Sequence, residues 1–243
     1  MTILGIETST TVCSAAICKD GEPISQCISY EGSNHARLLP LYIQQLLAQA
    51  QQQGLTIDAV ALSEGPGSYT GLRIGTSTAK GLCYGLNIPL IPVPTLEVLC
   101  EAARQQATIP LQPSDILCPM IDARRMEVYT ALMVKDEWLN GERARAVVVE
   151  NEQSLYSISE AVHALSAQRS IYYFGDGAAK CQAVLTHPDW HFVPGIVPEA
   201  RFLCALADSP ARPAVSGERI AYYEPYYLKE FIAAPSHVKG LSS

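Results

Sequence analysis

The chain has 243 residues, long enough for one large core or two ordinary domains, and its 48% hydrophobic and 17% charged content excludes a disordered polypeptide. A net charge of −7 argues against autonomous nucleic-acid binding, because phosphate contacts need a basic surface; any RNA role would draw most of its positive charge from a partner. No stretch approaches the roughly 20 apolar residues of a membrane span. Met1 runs straight into a strand-like segment without a signal-peptide pattern, and the eight cysteines contain no Cys-x-x-C pair. The expectation is a cytoplasmic protein with buried, reduced thiols, no disulfide framework and no metal site.

In chain order, Ile3-Leu4-Gly5-Ile6, Val12 to Cys18 and Pro23 to Tyr30 read as three strands, with Lys19-Asp20-Gly21-Glu22 as a hairpin turn between the last two. Asn34 to Gln53 reads as an amphipathic helix. Its apolar stripe is Leu38, Leu39, Tyr42, Ile43, Leu46, Leu47 and Ala50, its opposite face is glutamine-rich, and Gly54 ends it. After the buried strand Ala59–Leu62 comes the most informative segment, Gly65-Pro66-Gly67-Ser68-Tyr69-Thr70-Gly71-Leu72-Arg73-Ile74-Gly75. Gly-Pro-Gly forces a tight turn, and Ser68 or Thr70 caps a helix that continues to Leu86.

Within that helix Gly71, Gly75, Ala79 and Cys83 stand four apart and form one stripe of small residues. Interior glycines cost a helix about 1 kcal/mol each relative to alanine, so two of them need a packing reason. The stripe serves either close packing on the chain's own sheet or docking of a partner helix. In the docking case the interface comprises Leu38, Leu39, Tyr42 and Leu46 of the first helix with Gly71, Gly75, Ala79 and Leu82 of the second.

Ile88 to Val93 is a further strand, and Thr95 caps a helix running to Gln106. Around Pro110–Pro113 the pattern restarts. The segment from Ile116 to Leu132 repeats the opening of the chain: a buried strand ending in an acidic residue (Asp122, as Glu7 before), a short turn, a second strand, and a hairpin turn at Lys135-Asp136. Ala146 to Val149 fills the third-strand slot. Helical segments near Ser157–Ala167 and Ala178–Leu185 flank the strand Ile171–Phe174, and a helical or extended stretch runs from Ile220 to Ile232. The reading is an α/β chain of two duplicated βββαβα units with mixed sheets flanked by helices. Its domains are 1–108, 109–215, and a C-terminal helix and tail over 216–243 packing back on the first domain.

The chemistry-bearing residues are few. Glu7-Thr8-Ser9 after the first strand either caps a turn or binds a phosphate weakly. Gly175-Asp176-Gly177-Ala178 is a weaker glycine turn of the same kind. Arg124 and Arg125 beside Asp122 make a local ion pair, face a partner's carboxylates or phosphates, or simply lie in a solvated turn. His35 has no second ligand at helical spacing, so it reads as a cap or surface residue. There is no Gly-x-Ser-x-Gly and no Cys–His or Ser–His set.

Two such domains with an acidic strand end resemble the actin-like ATPase superfamily. Ile3–Ser9, His35–Pro40, Gly65–Gly75, Asp122–Tyr129 and Pro225–Lys229 together resemble one branch of it, the TsaB family of bacterial tRNA threonylcarbamoyladenosine biosynthesis proteins. The resemblance implies a non-catalytic subunit that pairs with a larger TsaD-like paralogue, with a small TsaE-like ATPase joining the pair. It implies tRNA contact only through the complex, no cofactor required by this chain, and ATP or ADP, if bound at all, at the heterodimer interface. The shared fold also implies a homodimer when the paralogue is absent. The catalytic paralogue carries two histidines four apart on one helix, where this chain has His35 and Leu39, and the superfamily's Asp-x-Gly phosphate loop is replaced by Glu7-Thr8-Ser9. The rival reading is a stand-alone ATP-dependent transferase or kinase; a metalloprotease has no ligand set.

Overall fold

A computed structural model of the chain describes residues 1–32, 34–106, 111–134, 137–138, 144–157 and 169–229. The first sheet has the order β3-β2-β1-β4-β5. Strands β1 (Thr2–Glu7), β2 (Cys13–Lys19) and β3 (Glu22–Ser29) form an antiparallel meander, while β4 (Ala59–Gly65) and β5 (Leu90–Pro94) run parallel to β1. Asp20 and Gly21 both take positive φ, 51° and 80°, which is the geometry a two-residue hairpin needs. Helix α1 (His35–Gln52) and helix α2 (Tyr69–Leu86) cover one face. Leu39, Ile43 and Leu46 of α1 and Ala79 and Cys83 of α2 pack there on Leu4, Ile6, Val60 and Leu62.

The second sheet repeats the plan with order β10-β7-β6-β11-β12. Its strands are β6 (Ile116–Asp122), β7 (Glu127–Thr130), β10 (Arg145–Val148), β11 (Ile171–Phe174) and β12 (Trp190–Phe192), with the short β8 (Met133–Val134) and β9 (Glu137–Trp138) attached to β6. The correspondence is strand for strand: β6 and β7 are antiparallel, β10 sits outside β7, and β11 and β12 run parallel to β6. The duplicated mixed-sheet fold expected from the sequence is the fold observed. Helix α3 (Thr95–Gln106) and helix α5 (Ala200–Ala207) lie between the sheets, where Leu96, Leu99, Phe202 and Leu203 join Ile3 and Val93 of the first sheet to Leu117 and Phe174 of the second. Helix α4 (Glu152–Tyr156) lies on the far face of the second sheet, with Leu155 packed on Ile171 and Tyr173.

Three boundaries depart from the sequence reading. α5 falls within 109–215 yet packs on β1 and β2: Ser14 Oγ accepts from Ala200 N at 2.9 Å, so the chain has already returned to the first sheet before residue 215. The C-terminal helix is only a 3-10 turn at Gly217–Ile220, and residues 221–229 run on without regular structure. Between Ala178 and Leu185 only Ala179–Cys181 is helical, again as a 3-10 turn. The expected hairpin at Lys135-Asp136, most of the helix near Ser157–Ala167 and the tail beyond 229 lie outside the described residues.

Candidate functional site

The β1–β2 loop and the glycine-rich turn after β4 close on each other. Ser68 N donates to Ser9 O at 2.6 Å, and Thr8 Oγ1 donates to Gly71 O at 2.8 Å. Ser68 caps α2, accepting from Gly71 N at 3.3 Å. Gly67, Gly71 and Gly75 face this loop: an added Cβ would overlap the Ser9 carbonyl, the Thr8 carbonyl and the Thr8 hydroxyl respectively. Glu7, Thr8 and Ser9 are fully buried, and Glu7 Oε1 accepts from Ser9 N at 2.7 Å and from Ser9 Oγ at 2.5 Å. Burial pushes the Glu7 carboxyl above the usual range, against the lowering effect of the Ser9 bonds. His35 is buried too, its Nε2 lying 3.0 Å and 3.1 Å from the carbonyls of Thr10 and Val12; facing two acceptors, that nitrogen carries the proton. His35 is therefore neither the surface residue nor the cap expected from sequence, and braces the loop instead. Of the residues considered for a phosphate, Thr8 and Ser9 use their hydroxyls on Gly71 O and Glu7 Oε1, whereas Glu7 Oε2 is buried without a hydrogen-bond partner among the described residues.

The expected docking face is also rearranged. Leu39, Leu46, Gly71, Gly75 and Ala79 are buried in the chain itself, so the stripe through Gly71 and Gly75 belongs to internal packing. Leu38, Tyr42 and Leu82 are half-buried on the margins of the same cluster and reach the surface. A second stripe, Ser77, Gly81 and Gly85, faces outward; a Cβ at Gly81 or Gly85 would meet nothing within 4 Å. Beside it Tyr84 is 90% exposed and Leu86 46%, with Leu41 of α1 at 56%. This outer stripe has the same four-residue spacing as the inner one, so the sequence pattern alone marks both.

In the second domain Asp122 pairs with Lys180, not with the neighbouring arginines; Arg124 meets Asp122 only through its backbone, Arg124 N to Asp122 Oδ1 at 3.0 Å. Of the three alternatives for Arg124 and Arg125, the local ion pair with Asp122 is the one not formed, because Lys180 takes that carboxylate. Both arginines are exposed and both hold positive φ, 72° and 51°. The Gly175–Gly177 turn has an internal use: Asp176 Oδ1 accepts from Asp122 N at 2.9 Å, and a Cβ at Gly175 would overlap the Met120 carbonyl.

Residues 221–229, part of the tail expected to pack back on the first domain, form a strap. Tyr226 N donates to Glu64 O at 2.7 Å, and Lys80 Nζ donates to Tyr223 O at 2.8 Å. The Tyr227 ring lies 4.9 Å from that of Tyr69, whose face also carries the Arg73 guanidinium at 5.6 Å. Lys229 then pairs with Glu127 of β7, so the strap ties the glycine-rich turn of the first domain to the β6–β7 turn of the second. Among the described residues no group of three or more metal-ligating side chains converges.

The chain is 34% identical over 137 residues to the tRNA threonylcarbamoyladenosine biosynthesis protein TsaB of Haemophilus influenzae, a match covering 56% of each chain. It is 35% identical over 151 residues to the protein of the same name from Escherichia coli, covering 61% of this chain and 62% of that one. The matches thus span less than two thirds of these relatives' own lengths. Among solved structures, YeaZ from Pseudomonas aeruginosa superposes with a TM-score of 0.67 at 25% identity, over 93% of this chain and 99% of that one. A family model described as "TsaD: tRNA N6-adenosine threonylcarbamoyltransferase" matches residues 30–202, and by that match over most of its length the chain belongs to this family.

Proposed function

We propose that the chain is an accessory, non-catalytic subunit in the biosynthesis of threonylcarbamoyladenosine in tRNA, pairing with a TsaD-like catalytic paralogue through the outer faces of α1 and α2. The character of that face carries the reading. Neither helix contains an acidic residue, in a chain that has 24 of them. Their solvent side combines the exposed anchors Leu41, Tyr84 and Leu86 with the bare backbone of Gly81 and Gly85. Apolar and aromatic anchors with depleted charge are what an interface core requires, and bare glycines let a second helix approach closely. A partner of the same family would present an equivalent helix pair, and a second copy of this chain would do so in its absence.

The non-catalytic part of the reading is supported by the β1–β2 loop, where the Thr8 hydroxyl is committed to Gly71 O, the Ser9 hydroxyl to Glu7 and the Ser9 carbonyl to Ser68 N. An ATP or ADP bound to the complex would then be held by the paralogue's side of the interface. In this reading a TsaE-like ATPase and tRNA join through the assembled pair, in the cytoplasm. The test is affinity for the TsaD-like paralogue, by light scattering, with Gly81→Leu and Tyr84→Ala. Loss of the complex is expected, with a melting temperature that is not lowered; undiminished affinity would contradict the proposed face.

A further inference from the structure

We infer that the β6–β7 turn and the strap together form a contact for single-stranded RNA, made by Arg124, Arg125 and Arg73 with the rings of Tyr69, Tyr226 and Tyr227. The inference rests on the function proposed above for the identity of the nucleic acid. Charge is the first argument. Lys180 answers Asp122 and Lys229 answers Glu127; with the Asp176 carboxylate beside Asp122 counted as well, the two exposed arginines still leave the turn with a positive excess in a chain of net charge −7. Neither has a carboxylate partner among the described residues.

The backbone supplies the second argument. Two consecutive non-glycine residues hold left-handed φ, a conformation that disfavours any residue with a Cβ. Stability alone would place glycine or asparagine there, so the guanidinium groups have a use outside the fold. Continuity supplies the third. Tyr227 stacks beside Tyr69 and Arg73, Lys229 two residues later reaches Glu127, and Glu127 N donates to Arg124 O at 3.0 Å. Rings, an arginine on a ring face and unanswered cations, linked through the strap, are the elements that hold unpaired bases and their phosphates. An acidic protein segment would suit the arginines, but it gives no role to the exposed Tyr226 or to the Tyr69–Tyr227 pair.

The test titrates a fluorescein-labelled anticodon stem-loop RNA into the complex of this chain with its TsaD-like paralogue, and into the isolated chain at low salt. The key variant is Arg124→Gly with Arg125→Gly, because glycine suits the left-handed backbone and keeps the fold. The expected result is an RNA affinity weaker by about tenfold. The slope of log affinity against log salt should also be shallower by about 1.4, from roughly 0.7 for each of two single-strand phosphates. The melting temperature should be equal or higher. Lys19→Ala, which removes one charge at the remote β2–β3 hairpin, should change neither affinity nor slope. Unchanged RNA affinity and slope in the glycine variant would overturn the inference. So would loss of the paralogue with RNA binding by the isolated chain intact, which would make the turn a protein contact. A wild-type chain that binds RNA but never the paralogue would instead sink the proposed function and leave the RNA contact standing.

Discussion

Replacing Gly71 or Gly75 by alanine should destabilise the chain, whereas the same replacement at Gly81 or Gly85 should stabilise it. All four positions lie inside α2, so each gains about 1 kcal/mol from helix propensity. At Gly81 and Gly85 nothing opposes that gain, since a Cβ would meet no atom within 4 Å. For a chain of this size 1 kcal/mol corresponds to about 2–4 °C in Tm. At Gly71 the Cβ would overlap the Thr8 carbonyl, and at Gly75 it would overlap the Thr8 hydroxyl with Leu62 Cδ1 only 3.2 Å away. The loop cannot retreat cheaply, because Ser68 N to Ser9 O and Thr8 Oγ1 to Gly71 O hold it in place. Overpacking costs about 1–3 kcal/mol and the disturbed Thr8 bond about 1 kcal/mol more. Set against the propensity gain, the net is a loss of about 1–3 kcal/mol at the inner pair. Four thermal melts by calorimetry decide the matter. A Gly71→Ala or Gly75→Ala variant that melts above the parent would refute the seating of the loop on α2, and with it the argument that Thr8 and Ser9 are committed internally.

Other consequences are open to equally simple measurement. Glu7 is raised in the folded state, so the native chain binds its proton more tightly than the unfolded chain does. Its contribution is then favourable at low pH and is lost as pH rises from about 4.5 through the higher folded value, with a slope of at most about 1.4 kcal/mol per pH unit. Glu7→Gln should flatten that dependence in denaturant titrations across pH, and a parent whose stability rises over the same interval would contradict it. Gly65→Ala should destabilise by about 3 kcal/mol or more, since φ is +114° and a Cβ would overlap the Tyr226 carbonyl. Limited proteolysis should then cut between residues 221 and 229, and an uncut strap would count against its seating on Gly65. Burial pushes the Cys13 and Cys83 thiols up to about 11, and Cys27 is less enclosed. A disulfide reagent at pH 8 should therefore label Cys27 first in the native chain; rapid labelling of Cys13 or Cys83 would show that α1 or α2 opens readily.

The duplicated fold was legible because strand and helix periodicities state it twice, and because Gly-Pro-Gly and Ser68 mark where α2 begins. The need for closeness at Gly71 and Gly75 was legible as well, but not the neighbour that comes close. An i, i+4 stripe of small residues is satisfied equally by 71–75–79 and by 77–81–85, and only the side of the sheet on which α2 lies decides which one is buried. The return of α5 to β1 rests on contacts between residues far apart in the chain, such as Cys204 Sγ to Ile3 O at 3.9 Å, 201 residues apart, which no local pattern encodes. The left-handed backbone of Arg124 and Arg125 was hidden for a different reason: side chains that resist that conformation give no hint of it, and the register of β6 against β7 imposes it. His35 was misjudged because its partners are the carbonyls of Thr10 and Val12, which any sequence would supply.

The central claim is that this chain contributes an interface and not a catalytic centre. Its most direct test is threonylcarbamoylation of tRNA by the TsaD-like paralogue, with the substrate-forming and ATPase components present, measured with and without this chain. The account predicts modification that depends strictly on the chain, none from the chain alone, and failure with Gly81→Leu. Full modification in its absence, or nucleotide-dependent transfer by the isolated chain, would contradict it.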